Sequence, residues 1–406
     1  MTREVDGLYA WLRLMLSVLV STVGGVGMWS VVVALPAVQA AFHVPRAGAA
    51  LPYTLTMIGV AAGNVVMGRL LDRVGIRPLL MVAGAGLGLG YFAASRAGSL
   101  GGFALAYFGP IAFLGSSVTF GPLMADVSQW FVRRRGLAVS ICAAGNYFAG
   151  AIWPPLLATW IEHYGWRQTH LWTGLICAGV ILPVGLLLGR RAPASAAAGN
   201  QAAGALRGGI GDLGPGAAQV LLCLAGVGCC VAMAMPQVHL VAYCSDLGYG
   251  PAHGAEMLSV MLAFGVISRV GSGAIADRIG GLATLLLGSL LQLLALVLYL
   301  GFDGLGSLYV ISALFGLFQG GIVPSYAMIV REYFPAREAG LRIGITLTAT
   351  MLGMALGGWM SGVIFDLSGS YRAAFLNGIG WNALNAGIML LLLHRAGRRE
   401  RAAVAA

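Results

Sequence analysis

The sequence contains no lysine and very little charge of either sign. Only 9% of its 406 residues are charged, whereas 59% are hydrophobic. A soluble domain carries roughly 25% charged residues, which it needs to cover its surface. The composition therefore excludes an ordinary soluble protein and indicates a chain that places most of its surface against lipid.

Motifs for nucleotides, metals and catalysis are also missing. There is no Walker motif, no dinucleotide fingerprint in a strand–helix setting, and no catalytic dyad. The six cysteines lie in apolar stretches without CxxC or Cys/His spacing, which is typical of small buried residues. We therefore expect no cofactor, no metal, no enzymatic activity and no ATP-driven transport.

Long apolar runs, in contrast, recur from one end of the chain to the other. Each is long enough to cross a ~30 Å hydrocarbon layer as a helix, and lipid cannot satisfy the backbone of a non-helical span. The sequence predicts an all-α membrane protein with twelve transmembrane helices at 11–36, 48–70, 78–95, 101–126, 136–160, 166–188, 217–243, 254–276, 281–302, 305–330, 340–365 and 371–393.

The twelve spans divide into two halves of six. Residues 189–216, rich in Ala, Gly, Ser and Pro, cannot bury a core, and we interpret them as a flexible cytoplasmic linker. The predicted domains are thus an N-terminal six-helix bundle (1–188) and a C-terminal six-helix bundle (217–406).

All 24 basic residues are arginines, and they occur in short clusters between the apolar runs. With the N-terminus inside, nineteen fall in inner loops and tails and four in outer loops; Arg269 belongs to neither group. The positive-inside rule then places both termini in the cytoplasm. We expect a monomer in the lipid bilayer of a bacterial inner membrane, without nucleic-acid binding.

The two halves repeat at a nearly constant offset. Asp72-Arg73-Val74-Gly75 recurs as Asp277-Arg278-Ile279-Gly280, which is 205 positions later. The segment that starts at Trp130 has its counterpart at Tyr333, 203 positions later. Because each half has an even number of spans, the repeats run parallel, as in transporters that rock about a central site.

The loop after the second span resembles the loop motif of the major facilitator superfamily. That resemblance implies a transporter with rocker-switch alternating access and a latch of loop charges on the cytoplasmic side. The latch residues that it implies here are Gly68, Asp72, Arg73, Gly75, Arg77, Asp126, Asp277 and Arg278.

Span eight, with Arg269 four residues before Gly273 and eight before Asp277, is similar to the monocarboxylate and oxalate–formate transporter families. In those families the arginine at this place binds the substrate carboxylate, so the resemblance assigns that role to Arg269. The lysines that those carriers have in span one or span eleven are absent, and Gly265 stands where the animal carriers have an aspartate.

The residues themselves support an anion site. Arg269 lies about 12 Å inside the membrane from Asp277, stays charged, and forms a bidentate receptor for a carboxylate. It could instead extend to the cytoplasm or pair with an acid such as Asp126.

His239 is a candidate proton carrier, or a neutral histidine at the interface. Four mid-span polar residues are further candidates for substrate contacts: Asn146, Tyr147, Gln319 and Tyr326.

The expected function is secondary active transport of a small organic anion, a monocarboxylate, by proton symport or anion exchange. The proton would travel on His239 or on the substrate acid. Two alternatives stay open at this stage: a carrier of a neutral or drug-like solute in which Arg269 is structural, and a sensor with a transporter fold that binds ligand without moving it.

Overall fold

The computed structural model describes residues 6–132, 134–190 and 210–405, without the side chains of 72, 135–136, 336–337 and 399–405. Among the described residues, eleven helices are long and apolar enough to cross a membrane. Gly165, with φ 76° and ψ 158°, interrupts the longest of them, so this helix comprises two spans. The predicted twelve spans are thereby confirmed.

We number the spans in chain order. The helices that form them are Leu8–Phe42, Arg46–Val74, Ile76–Ser95, Leu100–Ser128, 135–164, 166–187, Pro215–Asp246, Pro251–Ile279, Gly281–Gly301, Leu305–Tyr333, Ala336–Ser368 and Tyr371–Ala405. Most extend several residues beyond the predicted segments, because hydropathy marks only the part of a helix that crosses the hydrocarbon. The described residues form no β-strand beyond an isolated bridge between Ile210 and Leu213.

The fourth span of each half is interrupted. Span four consists of an α-helix (Leu100–Ala106), a π-helix (Tyr107–Ser116), a turn at 117–120 and a second α-helix (Gly121–Ser128). Pro110 lies in the π-helix, where its missing N–H removes one α-helical hydrogen bond. Span ten consists of Leu305–Gln319 and Ile322–Tyr333, separated by Gly320 and Gly321.

The internal repeat extends to backbone conformation. Gly75 ends the second span of the first half with φ 80° and ψ 177°. Gly280, 205 positions later, ends the second span of the second half with φ 82° and ψ 164°. Positive φ of this kind favours glycine. The two loop motifs therefore have the same backbone turn as well as similar residues.

The residues pack into two compact units. Unit 1 contains Met1–Gly199 and Val238–Ala263, and unit 2 contains Asn200–Gln237 and Phe264–Ala406. Within unit 1, Arg46 at the start of span two donates to both carboxylate oxygens of Asp246, at 2.9 and 3.0 Å. Most of the predicted linker, 191–209, lies outside the described residues.

Gly165 provides a test of the turn between spans five and six. We expect Gly165→Ala to lower the stability by about 1–3 kcal/mol, because its φ and ψ are accessible almost only to glycine. Apart from its two chain neighbours, no residue that the structure describes comes within 4 Å of a Cβ placed there, so a steric clash with another segment cannot explain the effect. Thermal unfolding of the detergent-purified protein measures it.

Gly179→Ala is the matched control. Gly179 lies in span six and a Cβ there also meets open space, but its backbone is helical. Alanine should leave the unfolding temperature unchanged or raise it slightly, since alanine is the better helix former. Equal unfolding temperatures for the two variants would contradict the assignment of a strained turn at Gly165.

Candidate functional site

Arg269 lies on span eight, ten residues or about 15 Å before the helix ends at Ile279. Its side chain is half-buried, and Nε donates a long hydrogen bond of 3.4 Å to the backbone carbonyl of Gly320. Only 28% of the most apolar window of span eight is buried, against 78% for span one. Arg269 thus lies deep within a span, and most residues of that span are not buried against the rest of the protein.

Two consecutive glycines, Gly320 and Gly321, allow the interruption of span ten to pack closely against span eight. A Cβ on Gly320 would lie 2.8 Å from the Cβ of Ser268, and one on Gly321 would collide with Ser272. No larger residue fits at either position without movement of the helices. This close approach places the Gly320 carbonyl within reach of Arg269.

Gln319 lies beside this break and is fully buried. Gln237 Nε2 donates to Gln319 Oε1 at 2.9 Å, which joins span seven to span ten inside unit 2. Gln319 Nε2 has no hydrogen-bond partner among the described residues. Gln237 was not identified from the sequence, although a glutamine after Pro236 in an apolar run was a usable signal.

Tyr326 belongs to a buried network of unit 2. Its hydroxyl donates to Cys229 Sγ at 3.4 Å and accepts from Asn385 Nδ2 at 2.8 Å. Asn385 also accepts from Ser289 at 2.5 Å, and Asn382 donates to the Ser289 carbonyl at 2.7 Å. The contacts of the Tyr326 hydroxyl are thus with spans seven and twelve in the core, and its role as a substrate contact stays a prediction.

Three predicted residues, Asn146, Tyr147 and His239, belong to unit 1. The Asn146 carbonyl accepts from Trp29 Nε1 at 3.3 Å, and the Asn146 side chain is half-buried. Tyr147 is buried, and His239 is fully buried in the outer part of span seven. The role of His239 as proton carrier also stays a prediction.

A buried chain of hydroxyls ends at His170, which sequence reasoning missed. His170 Nδ1 donates to the Trp166 carbonyl at 2.6 Å, so Nε2 accepts from Tyr107 at 2.8 Å. Ser30 Oγ then donates to Tyr107 at 2.9 Å and accepts from Tyr91 at 2.7 Å. These hydrogen bonds join four spans of unit 1, and the donor of each bond follows from the tautomer of His170.

Removal of the Tyr107 hydroxyl tests this chain. We expect Tyr107→Phe to cost about 1–3 kcal/mol, because His170 Nε2 then lies buried without a donor. Thermal unfolding should show a decrease of a few degrees. Tyr164→Phe is the control, since that ring is 59% exposed and its loss should be nearly neutral. Equal unfolding temperatures would show that the chain does not stabilise unit 1.

The partner of Asp126 in the structure is Arg13, which the latch prediction did not include. Arg13 Nε and Nη2 donate to the two oxygens of Asp126, each at 2.8 Å, and both residues are buried. The guanidinium also lies 4.7 Å from the centre of the Trp130 ring. Asp6 accepts from the Val132 backbone N–H. The start of span one is thus fixed to the loop after span four.

Most other latch candidates lie at the ends of spans two and eight, and Arg77 is the second residue of span three. Arg73, Asp277 and Arg278 are exposed, and a Cβ on Gly68 would meet open space. The Asp72 side chain lies outside the described residues. Near Arg77, a Cβ on Gly189 would lie 3.3 Å from Arg77 Cδ. The Gly281 N–H donates to Glu332 at 3.2 Å, which fixes the second loop motif to span ten. The latch itself stays a prediction.

Arg13→Gln tests the buried ion pair. We expect a loss of about 3–5 kcal/mol, because the Asp126 carboxylate is left buried without its cation. The double variant Arg13→Met, Asp126→Leu should recover most of the stability. Unfolding temperatures of the purified variants give the comparison.

Arg395→Gln is the matched control for a surface pair. Arg395 and Asp212 are 3.0 Å apart, with side chains 35% and 73% exposed. Loss of this pair should change the stability by less than about 1 kcal/mol. The interpretation of Arg13 is wrong if its variant is as stable as the Arg395 variant.

Metal-ligating residues do not cluster in the part of the chain that the structure describes. No group of three or more His, Cys, Asp or Glu side chains there is arranged to hold a metal ion. All six cysteines are free, and five of them are buried.

The fold and these buried polar sites define a multi-pass α-helical membrane protein built from two repeated halves. The family model of the Major Facilitator Superfamily matches residues 17–305 and 220–405, and the chain belongs to this superfamily. Its relatives and structural neighbours are transporters, so the chain is a membrane transporter and not an enzyme.

Three relatives are similar over most of the chain. Monocarboxylate transporter 13 of Bos taurus is 28% identical, covering 87% of this chain and 82% of that protein. Human monocarboxylate transporter 11 is 28% identical, with coverages of 78% and 68%. The uncharacterized MFS-type transporter YcxA of Bacillus subtilis (strain 168) is 25% identical, with 82% of each chain covered.

Two solved structures share the fold. The nucleoside transporter NupG has a TM-score of 0.70 and covers 94% of this chain and 99% of its own. The peptide transporter POT in complex with sulfate has a TM-score of 0.72, with coverages of 97% and 95%. Both are 12% identical to this chain, so the likeness concerns the fold alone.

Proposed function

We propose that the protein is a secondary active transporter of a small organic anion, a monocarboxylate, with alternating access by rocking of its halves. It works by proton symport or anion exchange. Several relatives named monocarboxylate transporters support this substrate class, at 28% identity or less. A bacterial inner membrane, cytoplasmic termini and a monomeric state are part of the same proposal.

The observation that carries the proposal is the position of Arg269. A guanidinium stays charged at any physiological pH, and its place about 15 Å inside a span costs at least ~2.5–3.5 kcal/mol. The Gly320 carbonyl accepts from Nε, and this hydrogen bond orients the guanidinium at the break of span ten. A carboxylate matches the planar fork of arginine in both charge and shape.

The remaining predicted residues have supporting roles in this proposal. Gln319, Tyr326, Asn146 and Tyr147 contact the substrate, and His239 contacts it or carries the proton. The latch residues of the two loop motifs stabilise one conformation on the cytoplasmic side. Residues 189–216 form a flexible linker between the halves 1–188 and 217–406, which lets each half move as a body.

Uptake into proteoliposomes tests the role of Arg269. We expect the wild type to accumulate radiolabelled lactate, pyruvate or oxalate under an inward pH gradient or in exchange for internal anion. Arg269→Gln should lower uptake at least about 30-fold, since loss of a buried charge partner costs about 2–5 kcal/mol. Arg269→Lys should be intermediate, because it keeps the charge but loses the bidentate fork.

Arg372→Gln controls for loss of a positive charge, because Arg372 is exposed at the start of span twelve. Its uptake should equal that of the wild type. Flux that does not depend on Arg269 would favour a carrier of neutral solutes and overturn the anion proposal. Saturable binding without flux would overturn transport itself and indicate a sensor.

A further inference from the structure

The repeat assigns a partner position to Arg269 in the first half of the chain. At the offset of 205, Gly273 corresponds to Gly68, and Arg269 corresponds to Asn64. The residue before each is small, Ser268 in the second half and Gly63 in the first. At the same depth in its second span, each half therefore has a small residue followed directly by a polar residue.

Within each unit, this pair of residues faces the break in the fourth span. In unit 2, Ser268 packs against Gly320, and Arg269 donates to the Gly320 carbonyl. In unit 1, a Cβ on Gly63 would lie 2.6 Å from both the Phe113 carbonyl and the Ser117 side chain.

Asn64 itself lies next to the residue at which span four resumes as an α-helix. A Cβ on Gly121 would lie 2.8 Å from Asn64 Oδ1, and glycine there leaves room for the amide. The two units thus build the same crossing, with an arginine in one and an asparagine in the other.

The Asn64 amide makes no hydrogen bond with any residue that the structure describes. Its Oδ1 is buried and without a partner, although the side chain as a whole is half-buried. Asn64 lies ten residues, or about 15 Å, before its helix ends at Val74. Polar side chains in spans that serve only to hold helices together need a partner on another helix. Asn382 and Asn385 in unit 2 both have one.

We propose that Asn64 binds the transported anion and helps to determine specificity, as the neutral counterpart of Arg269. This inference rests on the proposed function. The two N–H groups of Nδ2 donate to carboxylate oxygens, and the amide itself carries no charge. An amide without a partner among the described residues gains a hydrogen bond when it binds the solute.

Uptake kinetics and stability together test the assignment. In Asn64→Leu we expect KM for the best-transported of lactate, pyruvate and oxalate to rise about tenfold, because one hydrogen bond to a charged group is lost. Vmax should stay within about twofold, as expected for a group that binds substrate and transition state alike. The unfolding temperature should equal or exceed that of the wild type, because an unsatisfied amide is removed.

Two further variants make the test decisive. Asn64→Asp should raise KM more than leucine does, because it places a negative charge beside the anion; this variant decides alone if Asn64→Leu does not fold. Asn377→Leu is the matched control. Asn377 is half-buried and makes no hydrogen bond with the described residues either, but it lies about 9 Å from the start of span twelve, where water can reach it. Its KM should not change.

An unchanged KM in both Asn64 variants, or a higher KM together with a lower unfolding temperature in Asn64→Leu, overturns the inference. Carboxylate uptake that depends on Arg269 but not on Asn64 overturns this inference alone. If no carboxylate is taken up in an Arg269-dependent manner, the proposed function itself fails, and the role of Asn64 fails with it.

Discussion

The cost of placing a charged or polar group in an apolar layer determines which residues of this chain can act. Arg13 offsets that cost by an ion pair with Asp126, because both carboxylate oxygens accept from its guanidinium. Arg269 lies about 15 Å inside span eight, where its Nε donates to the Gly320 carbonyl. Arg13 is thus part of a structural ion pair, whereas Arg269 is the candidate receptor of the proposed function.

The fold was predictable because its determinants are local. Each span is defined by an apolar run within the sequence, and lipid leaves the backbone no alternative to helix. The twelve spans, the repeat and the resemblance to the major facilitator superfamily all follow from segments of about thirty residues or fewer. Most of the cysteines are buried, as their apolar surroundings indicated. Candidate residues such as Arg269 and Gln319 were found by the same logic, as polar groups inside apolar runs.

The partners of those residues were not predictable, because they come from distant positions. Arg13 and Asp126 are 113 positions apart, and Gln237 and Gln319 are 82 positions apart. The bonds that end at His170 join four spans. Hydropathy reports the depth of a residue but not its direction around the helix axis. For this reason the sequence did not single out His170, and it did not single out Asn64 although it did single out Arg269, the corresponding residue of the repeat.

The bounds of the fourth span in each half locate the small shift in the repeat. Spans four and ten, Leu100–Ser128 and Leu305–Tyr333, contain 29 residues each, so both their first and their last residues differ by 205 positions. Trp130 and Tyr333, in contrast, differ by 203. Tyr333 is the last residue of span ten, whereas Trp130 lies two residues beyond the end of span four. The first half has therefore gained two residues in the connection that follows the helix, and the π-helix at Tyr107–Ser116 leaves the length of span four unchanged. The longer connection carries the Trp130 ring to 4.7 Å from the Arg13 guanidinium, a place where the second half continues as helix.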